Sequence, residues 1–580
     1  MSYVLGLNLS HDRSACIVRD GEIVVAIEEE RLDRIKHSEG FQVQGHFERL
    51  TKSLPMRSVV YCLDSAGIGL DELDLVVGNR PLGDGAVHRI ARELPIRDKS
   101  KIRALPCPSH HLAHACVTYY CSPFDNAAIL VVDQAGSRLP NERDIEKHSL
   151  FVGEGTDIKL VATTTYPADY SDMSLGLFYD FFTVRLNFLT RYGTPTFGVF
   201  ECGGYPEAGK TMGLAPYGRP RPDWGDWLHP DGFDVRVSQE SLEATWSRLL
   251  AAEGQGYDPR RERSWQHGFA KDIARKAQDE LERAMLHLVA QARERTSTPN
   301  LCLAGGITLN SVANQRIRTE SDFDDVFIPG PSGDSGTAIG LALYGYHVLL
   351  GGTRRHPLRT AALGRIYPRE HIQAAVARLG AGLTCCEVSV DEVAARLARH
   401  EVVGWFQGRS EMGPRALGRR SILADPRHPG MRDYLNEVVK HREPFRPYAP
   451  SVLVEHAESW FDMSYESPFM LLVPSVRQDK QAAVPAITHV DGTARVQTVR
   501  PDVDEVYHEL IGCFHRRTGV PLLLNTSFND AGEPIVETPE DALRTFLRTT
   551  IDHLYLDGLL VSKRETALHP EHPARSPLDE

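Results

Sequence analysis

Apolar and polar positions change their period along the chain, and those changes mark out elements before any chemistry is considered. From Val4 to Leu9, Ala15 to Arg19 and Glu22 to Ile27, apolar-rich runs are separated by SHDRS and by an Asp20-Gly21 turn, which predicts a hairpin opening a sheet. The same pattern returns at Ala128, where AILVVD reads as a buried strand and is followed by LFVG, a GEGTD turn and IKLVATTTYP. Two such openings predict two related α/β lobes. Between Phe269 and Arg295 the period lengthens to that of a helix, with Ile273, Ala277, Leu281, Met285 and Leu288 on one face and charge on the other, as in a surface helix. The Gly/Arg-rich segment from Gly351 to Leu363 keeps no period and places a domain boundary near Arg355, giving domains 1–355 and 356–580. The last ~15 residues, rich in Pro, His and charge, read as a disordered tail.

Composition narrows the partners. At ~150 residues per domain the chain has room for about four modules and more than one core. Its 78 Asp and Glu against 65 Lys and Arg, a net charge of -13, argue against a nucleic-acid partner or an anionic membrane and favour a small-molecule substrate. The longest apolar stretch, Gly336 to Gly352, is broken by Gly, Tyr and His and falls short of the ~20 residues of a membrane span. With no signal-peptide pattern and ten Cys lacking CxxC spacing, the chain reads as cytoplasmic, with reduced thiols. Against this acidic background nine Lys and Arg fall between Arg409 and Arg446. Converging guanidiniums can hold a small dianion, and a solvated basic face fits the composition equally well.

Several constellations carry possible chemistry. In LPCPSHHLAHA, a helix starting after Pro108 would carry His110 and His114 on one face, ~6 Å apart along the axis. Two imidazoles so placed can share an ion; helix-cap or core roles are the alternative, and the adjacent His111 shows how cheap such spacing is. Asp133, ending the AILVV strand, and Asp334, in the turn PGPSGDSGTAIG, are acidic partners at places where folds expose ligands. Two His and two Asp without Cys suit iron(II), manganese or zinc.

Gly-rich turns at LCLAGGITLN and PGPSGDSG each precede a helix, so their N–H groups can face phosphates or simply make tight strand-to-helix connections. GYPEAGKT, Gly204 to Thr211, satisfies the phosphate-loop pattern, but Gly213, Pro216, Gly218 and Pro220 oppose the long helix such a loop opens, and Glu207 would repel phosphate. Glu207 and Lys210 stay candidates by another geometry. His11, beside Asp12 in the first hairpin turn, is either a base for an alcohol or an ordinary turn histidine. Lys440, Arg442 and Arg446 flank Pro444 and Pro447, which stiffen their presentation. The NTSFN segment adds the donors Asn525, Thr526, Ser527 and Asn529, and Arg495 lies in TARVQTV.

Taken in order, SHDRSA, SHHLAHA, VVDQAGS, GKTMGLAPYG, LAGGITLN, PSGDSGTAIG, GPRALGRRSILADPR, VKHREPFRPYAP and LLLNTSFN resemble the O-carbamoyltransferases of antibiotic and nodulation-factor biosynthesis, over nearly the whole chain. The resemblance implies an α/β protein. Its two-lobed N-terminal domain would be similar to Kae1, with the actin/sugar-kinase fold, and its smaller C-terminal α/β domain similar to YrdC. It also implies an enzyme that converts carbamoyl phosphate with ATP to carbamoyl adenylate and passes the carbamoyl group to a hydroxyl of a small natural product. By motif, Arg415, Lys440, Arg446, Arg495 and Asn525 would hold carbamoyl phosphate. His110, His114, Asp133 and Asp334 would hold a divalent metal, iron(II) first, with manganese or magnesium as alternatives. Gly305, Gly306, Ile307 and Asn310, with Asp133, Gly176 and Glu207, would line the nucleotide, and His11 would activate the acceptor.

An acyl adenylate hydrolyses in water, so transfer calls for a sheltered path. The acidic chain lacks the basic surface that tRNA threonylcarbamoylation demands, and a non-enzymatic ATP- and anion-sensing protein would bind without releasing pyrophosphate. Acceptors across the family include aminoglycosides, cephems, macrolides, ansamycins and sugar chains, and no acceptor-pocket residue stands out here. A homodimer is compatible with this reading.

Overall fold

The alternation between Val4 and Ile27 folds as three antiparallel strands, β1 (Tyr3–Asn8), β2 (Ser14–Arg19) and β3 (Glu22–Glu28), with β4 (Leu75–Gly78) and β5 (Ile102–Ala104) added in parallel beyond β1. In the computed structural model the described residues are 1–38, 41–43, 50–79, 86–139, 143–190, 205–353, 355–380, 382–563 and 572–573. The second opening repeats the first: β6 (Asn126–Val132), β7 (Asp144–Glu154) and β8 (Asp157–Pro167) are antiparallel, and β9 (Asn300–Ala304) and β10 (Asp325–Phe327) continue in parallel. The two sheets run β3-β2-β1-β4-β5 and β8-β7-β6-β9-β10, the same order and the same senses twice over. This duplication is the two-lobed arrangement expected of an actin-like fold.

Both lobes belong to one compact unit, Met1–Leu358, and a second unit comprises Arg359–Glu580. In the first unit, helix α1 (His110–Cys121) enters the core with eleven of its twelve residues buried, which its mostly apolar sequence requires. Helix α6 (Thr337–Tyr344) packs on it through Gly340, where a Cβ would sit 2.1 Å from the Ala113 carbonyl oxygen. That approach brings the turn before α6 against the start of α1. Other elements of this unit are α2 (Leu175–Arg185), α3 (Ala208–Leu214), α4 (Gly268–Arg295) and α5 (Ser311–Glu320).

Helix α4 departs from expectation, because its polar face is covered. Asp272, Lys276, Gln278, Glu280 and Glu282 are buried, and each has a polar partner, Asp272 in Arg219, Gln278 in Asn310 and Glu282 in Arg316. Lys276 Nζ lies 2.7 Å from Glu280 Oε1, and Glu280 Oε2 accepts from the backbone N–H of Trp227 and Leu228 at 3.0 Å. A periodicity reports an apolar face; it does not report whether a second layer covers the polar one. The GKT segment also does form a helix, α3, but of seven residues, ending at Leu214 and passing into a 3-10 turn, Ala215–Tyr217. Pro216 sits in the first turn of that 3-10 segment, where its missing N–H costs nothing.

The second unit is built on one mixed sheet. Its strands are β11 (Leu383–Glu387), β12 (Val403–Phe406), β13 (Arg420–Ala424), β14 (Ala449–Leu453), β15 (Gln497–Val499), β16 (Leu522–Ser527), β17 (His553–Leu556) and β18 (Leu559–Lys563), in the order β11-β18-β17-β12-β13-β16-β14-β15. Trp405 and Tyr555 stack at 4.1 Å within its core. Nearly all of the expected C-terminal tail lies outside the described residues. Among the described residues every cysteine is a free thiol, and no helix is long and apolar enough to cross a membrane.

Candidate functional site

Four side chains that lie far apart in sequence meet at the ends of the elements just described. His110 and His114 project from the first turns of α1, Asp133 follows β6, and Asp334 occupies the turn before α6; all four are buried. His110 Nε2 lies 3.0 Å from Asp133 Oδ2, 3.3 Å from His114 Nε2 and 3.4 Å from Asp334 Oδ1. His114 Nε2 lies 3.5 Å from Asp133 Oδ2 and 3.4 Å from Asp334 Oδ1. Ligands held ~2.1 Å from one ion at tetrahedral or octahedral angles stand about 3.0–3.4 Å apart, so these spacings suit a shared metal. Electrostatics agree. Burial opposes charge on every member, yet Asp334 and Asp133 hold the His110 imidazole well above its ordinary range. Burial and Asp334 push Asp133 up, but hydrogen bonds with His110 and His114 outweigh them and hold it low. Two buried carboxylates demand positive charge that protons or one divalent cation can supply.

The surroundings orient these groups. Asp133 Oδ1 accepts from Gly306 N–H at 2.8 Å, which leaves Oδ2 for the histidines. Gly305 has φ +97°, and a Cβ there would stand 2.2 Å from the Val132 carbonyl oxygen. Replacing Gly305 with Ala is therefore expected to cost about 2–5 kcal/mol, read as a lower urea midpoint for the N-terminal unit. Ile307 is buried beside this turn. Asn310 caps α5 and exchanges hydrogen bonds with Gln278, at 2.9 and 3.0 Å, so its side chain is engaged within the protein. Gly176 lets α2 approach Gln134, whose Cα would be 2.4 Å from an added Cβ. Glu207 is held by Thr190 at 2.7 Å, Lys210 at 2.7 Å and Lys36 at 3.5 Å. His111, the third histidine of the motif, instead faces Ser149 Oγ at 2.8 Å.

His11 borders the cluster, its Nε2 3.4 Å from Asp334 Oδ2 and its Nδ1 2.9 Å from Asp12 Oδ2. Burial disfavours its charge, but Asp334 and Asp12 together push its pKa up to about 10. A cation at the Asp133/Asp334 pair would cancel most of that field and return the imidazole toward neutrality. Asp180, on α2, was not singled out in the sequence. Burial raises its pKa to about 7, against the pull of His11, and it accepts from Gln134 Nε2 at 2.6 Å.

In the second unit the nine basic residues sort by partner. Arg419 pairs with Asp504 at 2.9 Å, Arg427 with Asp425 at 2.6 Å and Arg432 with Asp433 at 3.0 Å. Arg409 donates to the carbonyls of Gly364 and Leu363, and buried Arg420 lies over the Phe406 ring at 3.6 Å. Lys440 is buried with Nζ directed at Ser527 O (2.7 Å), Asn529 O (2.8 Å), Asn529 Oδ1 (2.6 Å) and Ser527 Oγ (3.3 Å), so it anchors the NTSFN segment. Arg446 pairs with Glu443 at 2.9 Å. Asn525 donates to Ala416 O at 3.2 Å and Ser451 Oγ at 3.0 Å, which supports the loop carrying Arg415.

Arg415, Arg442 and Arg495 behave differently. Burial lowers the pKa of all three, Arg415 to about 10, and Arg495 is pushed down further by the neighbouring Arg415 and Arg442 charges. Arg495 Nε is buried with no hydrogen-bond partner among the described residues. Mutually repelling, half-buried guanidiniums are the electrostatic imprint of an anion site. Arg442, stacked on Tyr448 at 4.6 Å, is the member that the motif assignment left out. Its signal in the sequence, a second Arg beside Pro444, does not distinguish it from Arg446.

Comparison with known proteins shows the family of the chain. The family model described as Carbamoyltransferase N-terminus matches residues 3–89 and 84–343, and Carbamoyltransferase C-terminus matches residues 394–563. Nodulation protein NolNO of Sinorhizobium fredii is 36% identical over 599 residues, covering 96% of this chain and 79% of its own length. Nodulation protein NolO of Bradyrhizobium diazoefficiens is 34% identical over 486 residues, covering 79% of this chain and 80% of its own. Among solved structures, HypF of T. kodakarensis aligns with 61% of this chain and 48% of its own at 16% identity and a TM-score of 0.36. With both halves of the chain matched and relatives similar along most of its length, the chain belongs to the carbamoyltransferase family and is an enzyme of that family.

Proposed function

We propose that the chain is an ATP-dependent O-carbamoyltransferase that makes carbamoyl adenylate from carbamoyl phosphate and transfers the carbamoyl group to a hydroxyl of a small natural product. The observation that carries this reading is the gathering of Arg415, Arg442 and Arg495, half-buried guanidiniums near enough for the first two to lower the pKa of the third, which suits an anion such as carbamoyl phosphate. Atom balance dictates the order of steps. Carbamoyl phosphate must lose its phosphate to water, leaving carbamate; a carbamate oxygen then bonds to the α-phosphorus of ATP as pyrophosphate departs. The guanidiniums bind the dianion and stabilise charge on the departing phosphate. Arg446, with Glu443 as its resting partner, can turn to the anion when it arrives. Lys440 and Asn525 hold the loops in place.

In the N-terminal unit the Gly305-Gly306 turn and the start of α2 would approach the nucleotide. His110, His114, Asp133 and Asp334 fit a divalent ion, and this imidazole and carboxylate donor set favours iron(II) over manganese or magnesium. Such an ion supplies positive charge where the adenylate phosphate becomes the leaving group. His11 accepts the proton of the attacking hydroxyl.

The direct test incubates the full chain with ATP, carbamoyl phosphate and a panel of an aminoglycoside, a cephem, a macrolide, an ansamycin and an oligosaccharide. Mass spectrometry should find one panel member heavier by a single carbamoyl group, and only when ATP is present. Carbamoylation without ATP would refute the adenylate route.

A further inference from the structure

Arg415 rides on the connection between β12 and β13, and that connection is wrapped around a carboxylate to which the reading above gives no role. Buried Glu411 accepts at Oε1 from the backbone N–H groups of Leu417 at 2.6 Å, Arg419 at 2.8 Å and Arg420 at 3.4 Å. Its Oε2 is buried with no hydrogen-bond partner among the described residues. A buried carboxylate with one oxygen idle is a costly scaffold, kept where the bonds of the other oxygen matter. Gly413 and Gly418, at φ +101° and +98°, turn the chain on either side of Arg415, so the N–H groups that follow it come back to Glu411. The residues leading into the loop are anchored as well: Gly364 N–H donates to the Ser410 carbonyl at 2.9 Å and Met412 N–H to the Ala361 carbonyl at 2.7 Å.

The carbonyls of the same loop are held from the sheet. Beside the Asn525 bond to Ala416 O, Gln497 at the start of β15 donates through Nε2 to Leu417 O at 2.8 Å, and Trp405 Nε1 on β12 donates to Gly418 O at 2.8 Å. Gln497 is itself fixed, its Oε1 accepting from Ser451 Oγ on β14 at 2.6 Å and from Asn525 Nδ2 on β16 at 3.3 Å. It stands two residues beyond Arg495, so a single side chain joins the segment that presents Arg495 to the loop that presents Arg415. Arg415 and Arg495 repel each other, and only a framework tied on both sides keeps such a pair together before its anion arrives.

We propose that Glu411 and Gln497 are the positioning residues of the anion site: Glu411 gathers the N–H groups of the Arg415 loop, Gln497 ties that loop to the Arg495 segment, and together they set the spacing of the two guanidiniums in advance. This rests on the reading of the arginine cluster as the carbamoyl phosphate site. A preset pair of planar forks meets a dianion without first being ordered, and a misplacement of about 1 Å far from the reacting atoms can cost about 10²-fold.

The experiment is a double-mutant cycle on the full chain, read as kcat/KM for carbamoyl phosphate in pyrophosphate release. Glu411→Ala should lower it about 10–10²-fold, and Arg415→Ala at least as far. In the Arg415→Ala background the same Glu411→Ala change should cost less than threefold, because its effect runs through Arg415. A merely structural role would reduce the folded fraction, and its cost would multiply with that of Arg415→Ala. Should Glu411→Ala not fold, Gln497→Met carries the same cycle, since it cuts the tie to the Leu417 carbonyl and leaves the N–H groups their acceptor. A loss within threefold in the single variant overturns the proposal, and so do losses that multiply in the double variant. If wild type releases no pyrophosphate with carbamoyl phosphate, or Arg415→Ala stays within threefold of it, the reading of the arginine site fails and the positioning role falls with it.

Discussion

Replacing Asp334 with Asn should strip the N-terminal unit of its metal and slow carbamoyl transfer about 10³-fold or more, the scale of several kcal/mol of lost charge stabilisation. The substitution changes one atom and one charge. Asp334 Oδ1 stands 3.4 Å from both Nε2 atoms, where an amide N–H would face the donors of an ion rather than complete them. The turn itself should survive, because its backbone contacts are untouched: Asn8 Nδ2 still donates to the residue 334 carbonyl at 3.0 Å and Ser14 Oγ to the Ser335 carbonyl at 2.7 Å. Elemental mass spectrometry of purified protein should find close to one divalent metal per chain in wild type and a small fraction of that in Asp334→Asn. Pyrophosphate release, assigned to the arginine cluster of the other unit, should persist. A variant that keeps its full metal content would remove Asp334 from the ligand set.

The second large effect separates stability from activity. Arg495→Met should lower carbamoyl phosphate-dependent pyrophosphate release about 10²–10³-fold, as loss of one fixed donor to a developing anion does. The same change should leave the C-terminal unit as stable or more so, with the urea midpoint unchanged or raised. Arg495 in the folded chain is penalised first by burial and then by the Arg415 and Arg442 charges, so its pKa is depressed and its charged form is disfavoured relative to the unfolded chain. At pH values below the ordinary arginine range, the unfolded chain holds this charge more readily than the folded one, so the group opposes folding there and removing it relieves the opposition. Lys440→Met is the contrast. It leaves the oxygens of Ser527 and Asn529 without their donor and should lower the midpoint. Equal destabilisation by both variants would mean that Arg495 is held for structure and not for an anion.

How much of this was legible before folding depends on the distance over which each feature is encoded. The His110/His114 pair is local, since four residues on a helix always share a face, and the strands of both lobes follow from alternation within a few residues. Asp133 and Asp334 were visible as a strand end and a Gly-rich turn, but their meeting is set by distant packing, with the Gly340 contact between α6 and α1 bringing Asp334 to the histidines and Gly306 N–H holding Asp133. Leu417 and Gln497 are 80 positions apart, and no periodicity announces that they meet. Arg442 becomes conspicuous only because the chain from another part of the sheet sets Arg495 beside it. The buried polar face of α4 was misread for the same reason, as the covering segment around Trp227 is remote in sequence.

The most direct measurement is isotope exchange between labelled pyrophosphate and ATP, run with the full chain and no acceptor. Exchange that requires carbamoyl phosphate and disappears in Arg495→Met is the predicted result, because carbamoyl adenylate must form and revert before any hydroxyl is engaged. Exchange that is absent without acceptor, or that proceeds equally without carbamoyl phosphate, would contradict the adenylate route.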